Sequence, residues 1–165
     1  MRERISALLI SERPADFVGL RVMLESREIQ VHTARSCGEA ILRLWSSDPP
    51  HLVFTETQLA DGTWADVLTM AEKSPLPVNV IVISRIVDIS LYVQVLERGA
   101  FDFIVPPLEI SELDHVLRCA VGNAVVRRAL DAAGKPAHST ATPRSSTTQE
   151  DSLLVDEDYQ AASTV

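Results

Sequence analysis

Cysteine is scarce in this chain: Cys37 and Cys119 are the only two among 165 residues, too few for the disulfide framework of a small secreted scaffold. Each lies in a segment with helical spacing, and both are expected as reduced thiols. Long apolar runs are missing as well. The start, "MRERISALLISERP", has only six mostly apolar residues before Ser11 and Glu12, too few for a secretory h-region or a membrane span. A cytoplasmic protein is expected. Positive charge is in deficit, with 15 Lys and Arg against 23 Asp and Glu and a formal charge of -8. That balance argues against nucleic acid or an anionic membrane as the main partner. There is no glycine-rich phosphate loop, nucleophile elbow or cysteine cluster. His32, His51, His115 and His138 are scattered without metal-ligand spacing.

What is present is a repeated grammar of short apolar runs and amphipathic segments. "ISALLI" reads as a strand buried on both faces, and "IQVHTA", "HLVFTE", "VNVIVIS" and "FDFIV" as four further short strands. Between them, helical spacing predicts helices from about Ala15 to Ser26, from Cys37 through Trp45, over "TWADVLTMAEK", and from about Asp88 to Arg98. "SCGE" has the capping-box form, Thr63 suits the cap of the third helix, and Gly99 suits the left-handed turn after the fourth. A fifth helix starts near Ser111. It carries Leu113, Val116, Leu117, Ala120, Val121, Ala124 and Val125 on one face and continues weakly to Leu130. Five strands alternating with five helices predict an α/β fold, a five-stranded parallel sheet doubly wound by helices.

Composition divides the chain at the end of that helix. Residues 1–133 are expected to form one domain, and 134–165 a disordered tail rich in Ser, Thr and acids, unable to bury enough apolar surface to offset its entropy. "LLVDEDY" is the one apolar-acidic cluster there, readable as a solvated terminus or as a short docking motif.

In doubly wound sheets a site forms at the strands' C-terminal ends, where strand order reverses. Those ends carry Ser11 and Glu12, then Glu56, then Ser84. With "LLISERP", "LVFTETQLADG", "VIVIS" and "LERGAFDFIVPPLEISEL", the chain resembles the receiver domain of two-component response regulators over residues 4 to 122. The resemblance implies a CheY-like, flavodoxin-like fold in which an aspartate takes a phosphoryl group. That aspartate, an acidic pair and a backbone carbonyl hold Mg²⁺, and a lysine and a hydroxyl grip the phosphoryl oxygens. Position by position, the acceptor is Glu56, the acidic pair is Ser11 and Glu12, and the carbonyl donor is Gln58. The hydroxyl is Ser84 and the lysine position is Pro106. Phe103 falls where receivers carry an aromatic that changes rotamer on activation; a strand phenylalanine is equally expected as core.

The departures bear on the chemistry. A glutamate moves the nucleophile outward by about 1.5 Å, and phosphoryl transfer depends on in-line position and neutralised charge. Ser11 in place of an acid weakens octahedral Mg²⁺, leaving Glu12, Glu56 and the Gln58 carbonyl as a weak set at best. Pro106 offers no cation for the phosphoryl oxygens. In the loop, Ala60 and Trp64 replace the usual proline and glycine. Arg85, where the family favours a small residue, either folds over the site onto Glu56 or Glu12, as a compensating cation, or points into water. The resemblance implies a stand-alone, degenerate receiver, or pseudo-receiver, that is not an enzyme, needs no cofactor and acts through a signalling protein partner. Its face is expected on the fourth helix, fifth strand and fifth helix, with Tyr92, Val93 and Arg98, and it also offers a homodimer contact. Two alternatives stand beside this: a phosphoacceptor of a phosphorelay using Glu56 with Arg85, and a small-ligand module at the strand-end crevice.

Overall fold

The computed structural model describes residues 4–107 and 109–134. Strand β1 (Ser6–Ile10) leads through a 3₁₀ turn (Pro14–Phe17) into α1 (Val18–Ser26) and β2 (Gln30–Ala34). Helix α2 (Cys37–Leu44) precedes β3 (Leu52–Glu56), which runs into a small hairpin of β4 (Gln58–Leu59) and β5 (Gly62–Thr63). Then come α3 (Trp64–Glu72), β6 (Asn79–Ile83), α4 (Ile89–Glu97), β7 (Asp102–Ile104) and α5 (Ile110–Gly134). The large sheet has the order β2-β1-β3-β6-β7, all neighbours parallel.

Period-two alternation builds two cores from the same strands. Leu8, Ile10, Val53, Val80 and Val82 pack beneath α2, α3 and α4, with Ala40, Leu44, Val67 and Val95. Ala7, Leu9, Leu52, Phe54, Ile81 and Ile83 face the opposite way, onto Phe17, Leu24, Leu113 and Leu117 of the α1 and α5 layer. Strand order reverses between β1 and β3, so their adjacent C-terminal ends form the expected crevice.

The local punctuation works as its chemistry requires. The Ser36 hydroxyl accepts the Glu39 N–H at 3.1 Å, whereas the Glu39 carboxylate reaches the N–H of Arg35 at 2.8 Å, one residue before the position a capping box uses. Asp66 accepts the N–H of Thr63 at 2.8 Å at the start of α3, and Asp88 accepts the N–H of Leu91 at 3.0 Å at the start of α4. Gly99 has φ of 105°, a turn that strains a side-chain-bearing residue.

Some sequence expectations need correcting. The first turn before α1 is 3₁₀, with Pro14 at its start. On α2, Ala40 is buried while Trp45 is 51% exposed, its indole N–H donating to the Met70 carbonyl at 3.2 Å. Trp45 is the cap residue just beyond the last helical residue, past the end of the buried stripe. On α5, Leu130 is 67% exposed, and Arg128 is buried instead. Its guanidinium donates to the carbonyls of Pro77 at 3.0 Å, Pro49 at 2.9 Å and Pro50 at 2.8 Å, and lies 3.1 Å from His51 Nε2. The helix extends to Gly134, one residue past the expected domain boundary, and the expected tail lies outside the described residues.

Arg128→Met keeps apolar bulk and leaves those buried carbonyls without the guanidinium. Unpaired buried acceptors predict a loss of about 2–4 kcal/mol in urea unfolding. Leu130→Ala, on the exposed side, is expected to change stability by no more than about 0.5 kcal/mol.

Candidate functional site

The register brings the polar residues together. Ile10 pairs with Thr55, Thr55 with Val82, and Glu56 with Ile83, so the chain beyond each pairing emerges at one edge. There Glu12, Glu56, Gln58, Ser84, Arg85 and Pro106 line a crevice of about 700 Å³. Ser11 does not join that lining: it is buried, and its hydroxyl accepts the N–H of Arg13 at 3.0 Å. Phe103 is also elsewhere. It lies in the core beneath α4, edge-to-face with Tyr92 at a centroid distance of 5.8 Å.

Arg85 lies on the acid at the acceptor position. Its Nη2 is 2.8 Å from Glu56 Oε1, and the same nitrogen contacts Asp16 at the foot of α1. Strand parity explains the meeting, since Glu56 shares the side of Phe54 that faces α1. The Glu56 side chain is 15% exposed and that of Arg85 61%, so the guanidinium closes over the carboxylate from the solvent side. The two carboxylates, Glu56 foremost, raise the already high pKa of Arg85 and keep it cationic. Asp16 rather than Glu12 is the second partner. Its direction depends on the 3₁₀ turn, and spacing along the chain carries no sign of it.

The other candidates have local partners. The Ser84 hydroxyl donates to the Ile86 carbonyl at 2.8 Å, and its backbone N–H donates to Ile104 at 2.9 Å. Arg98 donates to Glu72 at 3.1 Å and Thr69 at 3.2 Å, so it ties α4 to α3 and turns from the β7 side where an interface role was expected. The donor set does not fit Mg²⁺. Ser11 supplies no charge, and the Glu56 carboxylate already faces a guanidinium that repels a second cation. Among the described residues no group of three or more His, Cys, Asp or Glu side chains is arranged to hold a metal.

One polar latch had no sequence signal beyond the "DG" pair. The Asp61 carboxylate, between β4 and β5, accepts the N–H groups of Cys37 at 2.8 Å and Gly38 at 2.9 Å, the first residues of α2. These bonds, Gly38's first, hold its pKa below the ordinary carboxylate value. The hairpin after Glu56 is thus fastened to a neighbouring helix. Beneath it, burial first and then Asp61 and Asp66 push the Cys37 thiol up to about 11.

A five-stranded doubly wound parallel sheet, with an acid standing at the C-terminal end of its third strand, defines a receiver-type signalling domain. Residues 7–118 match the response regulator receiver domain family, and the chain belongs to it. It is 37% identical over 114 residues to the transcriptional regulatory protein KdpE of Mycobacterium tuberculosis strain H37Rv, covering 69% of this chain and 50% of that protein. It is 25% identical over 118 residues to the response regulator protein PilR of Pseudomonas aeruginosa, covering 72% and 26%. The chain thus spans half or less of these curated relatives. Among solved structures, the receiver domain of a LuxO repressor homologue from Vibrio parahaemolyticus superposes with TM-score 0.70 at 19% identity, covering 81% of this chain and all of that one. A CheY-like receiver from Methanospirillum hungatei superposes at 0.66 and 18%, covering 75% and 98%. Both are likenesses of fold.

The two thiols are free and differ in setting, Cys37 buried and Cys119 exposed. At pH 8 an aromatic disulfide reagent is expected to label Cys119 at least ~10-fold faster than Cys37, because the thiolate is the attacking form. Asp61→Asn is expected to speed Cys37. The depressed carboxylate stabilises the fold above its unfolded pKa, and that contribution is lost as pH falls through the folded value. The variant should therefore show a shallower acid limb in unfolding measured against pH.

Proposed function

We propose that this receiver signals through protein contact, from a site closed by its own ion pairs, and that it does not turn over phosphate. The observation that carries the reading is the 2.8 Å contact of Arg85 with Glu56. Receiver chemistry uses an open carboxylate, a bound dication and a lysine. Here the carboxylate is covered, Asp16 shares the covering cation, and Pro106 stands at the lysine position. Glu56 acts as a permanent charge. Arg85 draws the β1–α1 segment, the end of β3 and the β6–α4 segment together, as a phosphoryl group and its cation would do transiently. The protein is then a cytoplasmic, non-enzymatic module of a two-component pathway, with no need of Mg²⁺.

Its partner is a signalling protein, and the proposed face is α4 with β7 and α5. Tyr92 and Val93 are each 43% exposed there, and Ile86, Val87 and Ile89 continue the apolar surface from beside Arg85 to the start of α4. The same face serves a homodimer. Arg85 therefore lies between the covered acid and the contact surface.

Incubation with acetyl phosphate and Mg²⁺ is expected to give no acid-labile mass gain on the parent chain or on Glu56→Asp. A gain of one phosphoryl group on the parent overturns the reading and makes Arg85 the lysine's replacement. Glu56→Gln is expected to weaken partner binding about fivefold or more with the fold intact, the size of an ordinary coupling between two states. Equal binding by Glu56→Gln in calorimetry or pull-down would show that the charge is idle.

A further inference from the structure

The two helices on one side of the sheet do not close on each other at their site-proximal ends. Between α1 and α5 runs an open, mostly apolar groove of about 600 Å³, floored by Ile83 and Ile104 and walled by Leu20, Met23 and Leu113. Its rim is apolar too, with Val22 60% and Ile110 73% exposed. Gly19 lies along the groove, and a Cβ there would meet nothing within 4 Å, so a larger side chain fits at this position. The groove shares Asp16, Phe17, Ile83 and Pro106 with the strand-end crevice.

Apolar surface of this kind gains free energy when covered. An open groove does not enclose most of a small ligand, the usual condition for tight small-molecule binding, whereas a run of apolar side chains on a peptide segment suits it. Beyond Gly134 the chain has one run of large apolar residues, Leu153, Leu154 and Val155; Ser, Thr, Ala, Pro and acids make up most of the rest. We propose that Leu153–Val155 seats in the α1–α5 groove of its own chain. The reach is sufficient. Leu113 lies about 32 Å back along the helix from Gly134 at 1.5 Å per residue, and the steps from Gly134 to Leu153 span up to about 63 Å when extended. Acids flank the run, Glu150 and Asp151 before it and Asp156, Glu157 and Asp158 after it. At the crevice end, Arg13 is exposed and has no side-chain partner among the described residues, so it is available to one of them. A second copy is the less favoured occupant, because it meets the groove only by bimolecular encounter, whereas the segment is tethered to it at high effective concentration. Seated this way, the segment covers the groove next to Pro106 and Asp16, independently of whether Glu56 accepts phosphate.

Hydrogen exchange on the full chain tests this. Leu154→Asp changes none of the residues named in the two cores, and unchanged helical circular dichroism checks that the fold is kept. The substitution is expected to speed exchange about fivefold or more in residues 19–26 and 113–117, by removing the contact that protects them. Gly19→Phe fills the groove from inside and is expected to speed exchange of residues 153–156, with helical circular dichroism unchanged. If Leu154→Asp leaves α1 exchange as it was, the segment is not seated there and the proposal falls. A change confined to residues 86–93 places the segment on the other face and also overturns it. Protection of α1 that fades on dilution assigns the groove to a second copy instead.

Discussion

Burial of β1, β3 and β6 on both faces is the constraint from which the rest follows. Strands enclosed in this way admit few polar side chains, all neutral along their buried length: Ser6, Thr55 and Asn79 lie among Leu8, Phe54, Ile81 and their neighbours. Ionisable groups are thereby driven to the strand ends. Because β1 and β3 are neighbours at the reversal of strand order, the acids that follow them meet at one edge. The site results from how the core is filled, and its chemistry depends on which residues occupy a few exits.

At those exits the balance of charge differs from that of an open phosphoryl site. Glu56 and Asp16 are shared by a single guanidinium, leaving the trio with one negative charge in excess. The guanidinium and Asp16 sides of that contact are exposed, and exposed pairs contribute little to stability. Its effect is geometric. It determines how three segments lie against one another, and Asp61 adds a fourth by holding the hairpin beyond Glu56 to α2.

The parts legible from sequence were those with a local cause. Short runs rich in apolar residues marked the five sheet strands, and Ser36, Thr63, Asp88 and Gly99 marked the helix ends near where they fall. The crevice residues followed from the resemblance, which aligns positions at strand ends. Other features depended on groups far apart in the chain. Arg128 continues the buried stripe of Leu113, Leu117, Ala120 and Ala124, where periodicity calls for an apolar residue, and nothing nearby announces the proline carbonyls it serves, 51 and 78 residues earlier. Asp16 and Arg85 are separated by 69 residues, and only the completed fold aims one at the other. The hairpin of β4 and β5 has two residues per strand, too few for any period to register.

The arginine on α5 also has a mechanical meaning. Arg128 fastens the far end of that helix to the loops that precede β3 and β6, near the N-terminal ends of the two strands whose other ends carry Glu56 and Ser84. Tension applied to the chain beyond Gly134 would therefore be borne first by these loops and strands, ahead of the helix's apolar packing. Whatever is attached at that end, through this chain or a partner, pulls on the same two strands that present the site.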